Sequence, residues 1–66
     1  MTVVLNGKEY ETDQEATIAD LLAQRGINPA TVVVERNGEI VPGSDFASTA
    51  LNDGDHLEVL RFVGGG

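Results

Sequence analysis

Cysteine is absent from the 66 residues. That excludes disulfides and any thiolate chemistry within the chain, and it agrees with the cytoplasmic location expected here. Histidine occurs once, as His56. No two-histidine metal site can form, and a histidine beside a turn reads as a solvated loop residue. Positive charge is scarce: four Lys and Arg stand against eleven Asp and Glu, for a net charge of −7. Phosphates repel such a chain, which argues against nucleic acid as a partner. Lys8, Arg25, Arg36 and Arg61 do not cluster in sequence; an acidic protein is steered instead toward a basic partner surface. No run of about 18 apolar residues occurs, and no basic segment leading into an apolar stretch opens the chain, so neither a membrane span nor a signal peptide is expected.

Signatures of chemistry are equally sparse. There is no Gly-x-x-x-x-Gly-Lys phosphate loop and no Gly-x-Ser-x-Gly around Ser44. Asp53 and Asp55 lack the ligand spacing and closing Glu of a calcium loop, and read as residues that shape a turn. Glu9, Glu11, Asp13 and Glu15 read as wetted surface. With 41% hydrophobic and 23% charged residues the composition is that of a globular domain. A chain this short buries only about 60% of its unfolded surface. It is too small to enclose a sizeable substrate pocket of its own.

What is present is a regular alternation of strand and turn signals. Met1, Val3 and Leu5 alternate with Thr2 and Val4, which predicts a strand with the first three inward. Asn6-Gly7 is a strong hairpin signal, because a type I′ turn needs positive φ at both central residues. A second strand is expected over residues 8–12, with Tyr10 and Thr12 on one face. Thr17 is a good helix N-cap, with Asp20 three residues on as an acidic capping box. Ile18, Leu21 and Leu22 form one helical stripe. Arg25 falls in the last turn, Gly26 at the left-handed C′ position and Ile27 at C″, where it packs back. That helix, about nine residues, is too short to stand alone and must pack on a sheet. Asn28-Pro29 blocks its continuation. Residues 31–36 predict a third strand with Val32 and Val34 inward. Asn37-Gly38 repeats the hairpin signal, and residues 39–41 form a short fourth strand. Pro42-Gly43 is a turn. Residues 44–50 carry no clear pattern beyond Phe46 and Leu51 as core anchors. Residues 52–55 make a tight turn, and residues 57–62 the final strand. One helix cannot cover both faces of a sheet, so an α+β architecture follows: a mixed sheet of four to five strands with the helix across one face. Crossover rules place the last strand beside the first, in the sheet's middle.

Parity in the last strand separates two faces. Leu57 and Val59 are expected in the core. Glu58, Leu60 and Phe62 then face outward, a partner-binding patch beside the end of the chain. There the strand runs into Val63-Gly64-Gly65-Gly66. Residues 1–62 are thus expected to form the domain and residues 63–66 a flexible tail. Extended, the tail reaches roughly 13 Å, and a stalk without Cβ atoms enters a slot where other residues collide. The terminal carboxylate of Gly66 is ionised at neutral pH and is a poor electrophile. Coupling it to AMP creates a leaving group that a sulfur nucleophile displaces. No residue pattern in this chain binds ATP or Mg²⁺, so no cofactor is expected on it. A separate enzyme would supply both.

Three segments carry a family resemblance: Val-Val-Val-Glu-Arg-Asn-Gly-Glu-Ile-Val at 32–41, Leu-Asn-Asp-Gly-Asp-His-Leu-Glu-Val at 51–59, and Phe-Val-Gly-Gly-Gly at 62–66. Together they resemble the ThiS family, the sulfur carriers of thiamine biosynthesis. The resemblance implies a β-grasp, ubiquitin-like fold. It implies that Gly66 is adenylated by a ThiF-type adenylyltransferase and converted to a thiocarboxylate, with sulfur from a cysteine desulfurase or other persulfide donor. It further implies delivery of that sulfur to a ThiG-type thiazole synthase. Gly65 and Gly66 match the family's closing pair, and Gly64 a third glycine found in many members. Phe62 and Val63 would lie at the mouth of the partner enzyme. The small subunit of molybdopterin synthase and a ubiquitin-like protein modifier are the alternatives within this shape, and a binding module with an idle tail is the alternative outside it.

Overall fold

The computed structural model describes residues 1–62; the glycine-rich end, residues 63–66, lies outside them. The elements run β1 (Thr2–Leu5), β2 (Lys8–Glu11), α1 (Ile18–Gln24), β3 (Val32–Arg36), β4 (Glu39–Val41) and β5 (His56–Arg61). The five strands form one sheet in the order β2-β1-β5-β3-β4. β1 and β5 are parallel and the other neighbours antiparallel. The last strand therefore lies beside the first at the centre, as the crossover argument predicts.

Local chemistry builds most of these elements. Asn6 and Gly7 adopt φ of 49° and 83°, and Asn37 and Gly38 adopt 52° and 87°, the doubly positive pattern of a type I′ turn. At the start of α1, Asp20 N–H donates to Thr17 Oγ1 at 3.2 Å and Thr17 N–H to Asp20 Oδ2 at 2.9 Å. Two further N–H groups of the first turn find partners far along the chain: Ile18 donates to the Thr49 carbonyl and Ala19 to that of Phe46. The helix N-terminus is thus closed by the segment after β4. At the other end Gly26 N–H donates to Ala23 O and Ile27 N–H to Leu22 O, with Gly26 at φ 69°. That is a Schellman ending.

Four local expectations are corrected. The helix has seven residues, two short of the expected length, because its cap bonds already begin at Arg25. Arg25 is therefore the C-cap, outside the last turn, and its guanidinium carbon lies 5.3 Å from the centre of the Tyr10 ring, a cation–π contact. Thr31 closes a 3₁₀ turn, Pro29–Thr31, and does not open β3. The unassigned stretch holds a second 3₁₀ turn, Gly43–Asp45, which swings Phe46 inward. His56 opens β5 as an exposed strand residue.

A single apolar cluster joins sheet and helix. Val3, Leu5, Val32, Val34 and Leu57 come from the strands, Ile18, Leu21 and Leu22 from α1, and Phe46 and Leu51 from the closing segment. Met1, Tyr10, Ile27 and Val59 pack at its margin.

One buried charge organises the entry to β5. Asp55 is only 6% exposed. Its carboxylate accepts from Asn52 N–H at 2.8 Å, Arg36 Nε at 2.9 Å and Asn37 Nδ2 at 3.0 Å. Its carbonyl accepts from Val4 N–H at 2.8 Å. Burial works against the charge, but the bonds from Asn52, Asn37 and Arg36, with the Arg36 charge, outweigh it and hold the carboxyl below its ordinary value. Because the folded value is the lower one, the stabilisation is complete above the unfolded pKa and is lost as pH falls through the folded pKa. Asp55→Ala should therefore destabilise the domain by about 2 kcal/mol at neutral pH. The gap to the parent should narrow in denaturant melts taken toward about pH 2. Parallel pH profiles for the two chains would show that other carboxylates govern acid unfolding.

Candidate functional site

Strand β5 divides its side chains between two environments. Leu57 is 1% exposed, and Val59 packs half-buried on the core. Glu58, Leu60 and Phe62 alternate with them and are exposed, Leu60 by 51% and Phe62 by 55%. The inward and outward assignment read from parity holds for each of these five. Arg61 follows Val59 in parity yet is exposed, although it stands opposite the buried Val32.

Register shows what flanks the outward residues. Leu60 stands opposite Val33 of β3, and Glu58 opposite Glu35. Across β3, Glu35 stands opposite Ile40 of β4. Val41, opposite the buried Val34, turns inward and packs on the core, so Ile40 is directed outward. At 68% it is the most exposed large apolar side chain among the described residues. The sequence reading gave Ile40 no face. In a three-residue strand parity has too few positions to decide, and only the pairing of Val41 with Val34 settles it. The result is an apolar row, Val33, Leu60 and Phe62, next to a rung in which Ile40, Glu35 and Glu58 stand side by side. Such a row fits a partner surface that is apolar at its centre and basic at its rim.

The two neighbours of β5 follow it to different depths, and its exit is held from β3's side. On β3's side pairing runs to Val32 opposite Arg61, and Phe62 N–H donates to the Thr31 carbonyl at 2.9 Å. On β1's side the ladder ends with Leu5 opposite Leu57. Val63, Gly64, Gly65 and Gly66, the expected threading and reacting residues, lie outside the described residues.

Other features offer less chemistry. An open cleft of about 430 Å³ beside α1 is lined by Asp13, Glu15, Ala16, Asp20, Ala23 and Gln24. A second, of about 400 Å³, is lined by Leu5, Asn6, Lys8, Glu9, Tyr10 and Arg25. Neither is enclosed. Among the described residues no three His, Cys, Asp or Glu side chains gather as a metal site. No described helix is long and apolar enough to cross a membrane.

Comparison with known proteins agrees with this architecture. The sequence model of the ThiS family matches residues 3–66. The chain is 41% identical to the sulfur carrier protein ThiS of Bacillus subtilis over 63 residues, covering 94% of this chain and 96% of that one. It is 47% identical to a thiazole synthase of Paramagnetospirillum magneticum over all 66 residues, but spans only 20% of that protein's length. The crystal structure of the thiamine biosynthesis protein ThiS from Geobacter metallireducens superposes with a TM-score of 0.86 at 35% identity, each chain covered in full. The mixed sheet with one helix is thus the β-grasp fold, and this chain belongs to the ThiS family.

Proposed function

We propose that this chain is a cytoplasmic sulfur carrier for the thiazole of thiamine, acting as a protein co-substrate and not as an enzyme. The observation that carries the reading is the family match, which runs through residue 66 and so includes the glycines at which the chemistry would occur. The exposed row on β5 supports it, since that strand leads straight into them. In this reading residues 1–62 dock and residues 63–66 reach.

The reaction follows from the carboxylate's chemistry. A Gly66 oxygen attacks the α-phosphorus of ATP on a ThiF-type adenylyltransferase, and pyrophosphate leaves. The enzyme's Mg²⁺ balances the phosphate charge. A sulfur nucleophile then attacks the acyl carbon and AMP departs. If the nucleophile is the terminal sulfur of a persulfide, from a cysteine desulfurase or other donor, an acyl disulfide forms. Releasing the thiocarboxylate from it takes a thiol as reductant. The chain has no cysteine, so that thiol belongs to a partner. The thiocarboxylate sulfur passes to a thiazole synthase of the ThiG type. Two relatives named thiazole synthase, from Paramagnetospirillum magneticum and Magnetococcus marinus, each match this chain in full over a fifth of their own length, which supports that partner.

Glu58, Leu60 and Phe62, together with Ile40, form the docking patch of this reading, with Val63, Gly64 and Gly65 as the threading segment. Removing Gly66 should abolish sulfur loading while leaving the melting temperature unchanged. Intact mass after incubation with the adenylyltransferase, ATP and a sulfur donor reads the outcome. The full chain gains the difference between sulfur and oxygen, and the shortened chain gains nothing. A larger conjugate would mark a covalent modifier instead, and an unchanged full chain a plain binding module. Leu60→Asp should shift stability by no more than about 0.5 kcal/mol, as for other surface positions, yet weaken adenylyltransferase binding at least about tenfold. A collapse in melting temperature would place Leu60 in the core, against its observed exposure.

A further inference from the structure

The two Asn-Gly turns sit on opposite sides of β5, and in both the asparagine side chain reaches the central strand. Asn37 Oδ1 accepts from His56 N–H at 2.9 Å, at the strand's first residue. Asn6 Oδ1 accepts from Val59 N–H at 2.8 Å, and Asn6 Nδ2 donates to the Val59 carbonyl at 3.3 Å. Asn6 N–H also donates to the Leu57 carbonyl at 2.9 Å. A type I′ turn accepts glycine as readily as asparagine at this position. The turn alone therefore does not call for Asn6.

The amide group does what a longer β1 would do. β1 stops pairing at Leu5 because the chain must reverse into β2. Asn6 then offers Val59 one acceptor and one donor, which in a continued parallel ladder would come from the main chain of two β1 residues, two positions apart. Among the described residues, no main-chain bond reaches β5 from β1's side beyond this point. Arg61 and Phe62 are held from β3's side alone.

We propose that Asn6 is a positioning residue for the reacting end of the chain: its side-chain amide substitutes for the missing rung of β1 and fixes the direction in which β5 leaves the sheet. The inference rests on the carrier reading above. Without the clamp Val59 is held on one side only. The direction of the segment after it is then set from β3's side alone, through Leu60, Arg61 and Phe62, and docking must correct any departure from the clamped path. That lowers the competent fraction before binding and leaves the chemistry after threading untouched.

Asn6→Gly tests this, because glycine keeps the turn. Hydrogen exchange at the Val59 amide, read by NMR on the chain alone, should accelerate roughly tenfold. With an ATP-dependent adenylyltransferase and a sulfur donor, KM for the carrier should rise about fivefold with kcat unchanged. Asn6→Asp keeps the acceptor for Val59 N–H but loses the donor, and should fall between; it carries the test if the glycine variant melts early. Unchanged Val59 exchange would overturn the clamp. Faster exchange with an unaltered KM, or a loss confined to kcat, would overturn the positioning role. A parent chain that never takes up sulfur would instead sink the carrier reading, and the positioning role with it, whatever the exchange data show.

Discussion

The fold depends on keeping one negative charge inside it. A carboxylate as buried as that of Asp55 is costly unless its lone pairs are occupied. Here they are taken by a main-chain N–H from its own turn, a guanidinium from β3 and an amide from the β3–β4 turn. Those donors come from two segments, its own turn and the Arg36–Asn37 stretch at the end of β3, which no local preference would bring together. Satisfying the charge thus sets where β5 begins relative to β3, while the carbonyl of the same residue ties that start to β1. The neighbouring turn adds two more ties: Thr2 N–H donates to Asp53 Oδ1 and Gly54 N–H to the Thr2 carbonyl. A parallel pair with only two residues in register gains its precision from these flanking bonds.

Once its start is set, the rest of β5 follows from the period of two. Leu57 and Val59 go to the helix side, and Glu58, Leu60 and Phe62 to the other. With a single helix the sheet has one covered face and one open face. The same alternation that fills the core therefore also presents an apolar row outward. The two clefts beside α1 and β2 are both open to solvent. Core and exposed row are the two faces of one strand, so substitutions on the outer face leave the inner one in place.

Much of this was legible in the sequence, for an identifiable reason. The type I′ turns, the Thr17–Asp20 capping box and the Gly26 helix ending each form among residues within five positions of one another, and each needs particular side chains. The period-two and helical patterns marked Val3, Leu5, Ile18, Leu21, Leu22, Val32, Val34 and Leu57 as core, and all are buried. So are Phe46 and Leu51, expected as anchors though no pattern marked them. Met1 and Val59, also expected inward, pack partly buried at the core's margin. Parity separated Leu57 from Leu60. Other features were not visible. Asp55 read as a turn residue, which it is; its burial depends on Arg36 and Asn37, 19 and 18 positions away. Arg25 read as a charge on a helix end, although the Tyr10 ring decides its place. Ile40 had no assigned face until β4 paired with β3. Asn6 was recognised for its φ angle but not for its hold on Val59, 53 residues on.

By itself, then, the amino-acid order determined the turns, the caps and the alternation of faces. These rest on dihedral preferences and on hydrogen bonds closed within a turn or two. Only the tertiary structure decided the register of β5, the burial of Asp55, the outward direction of Ile40 and the second role of each Asn-Gly turn. Those are long-range bonds, and a side chain that can serve several partners shows its partner only after the sheet has brought the two together.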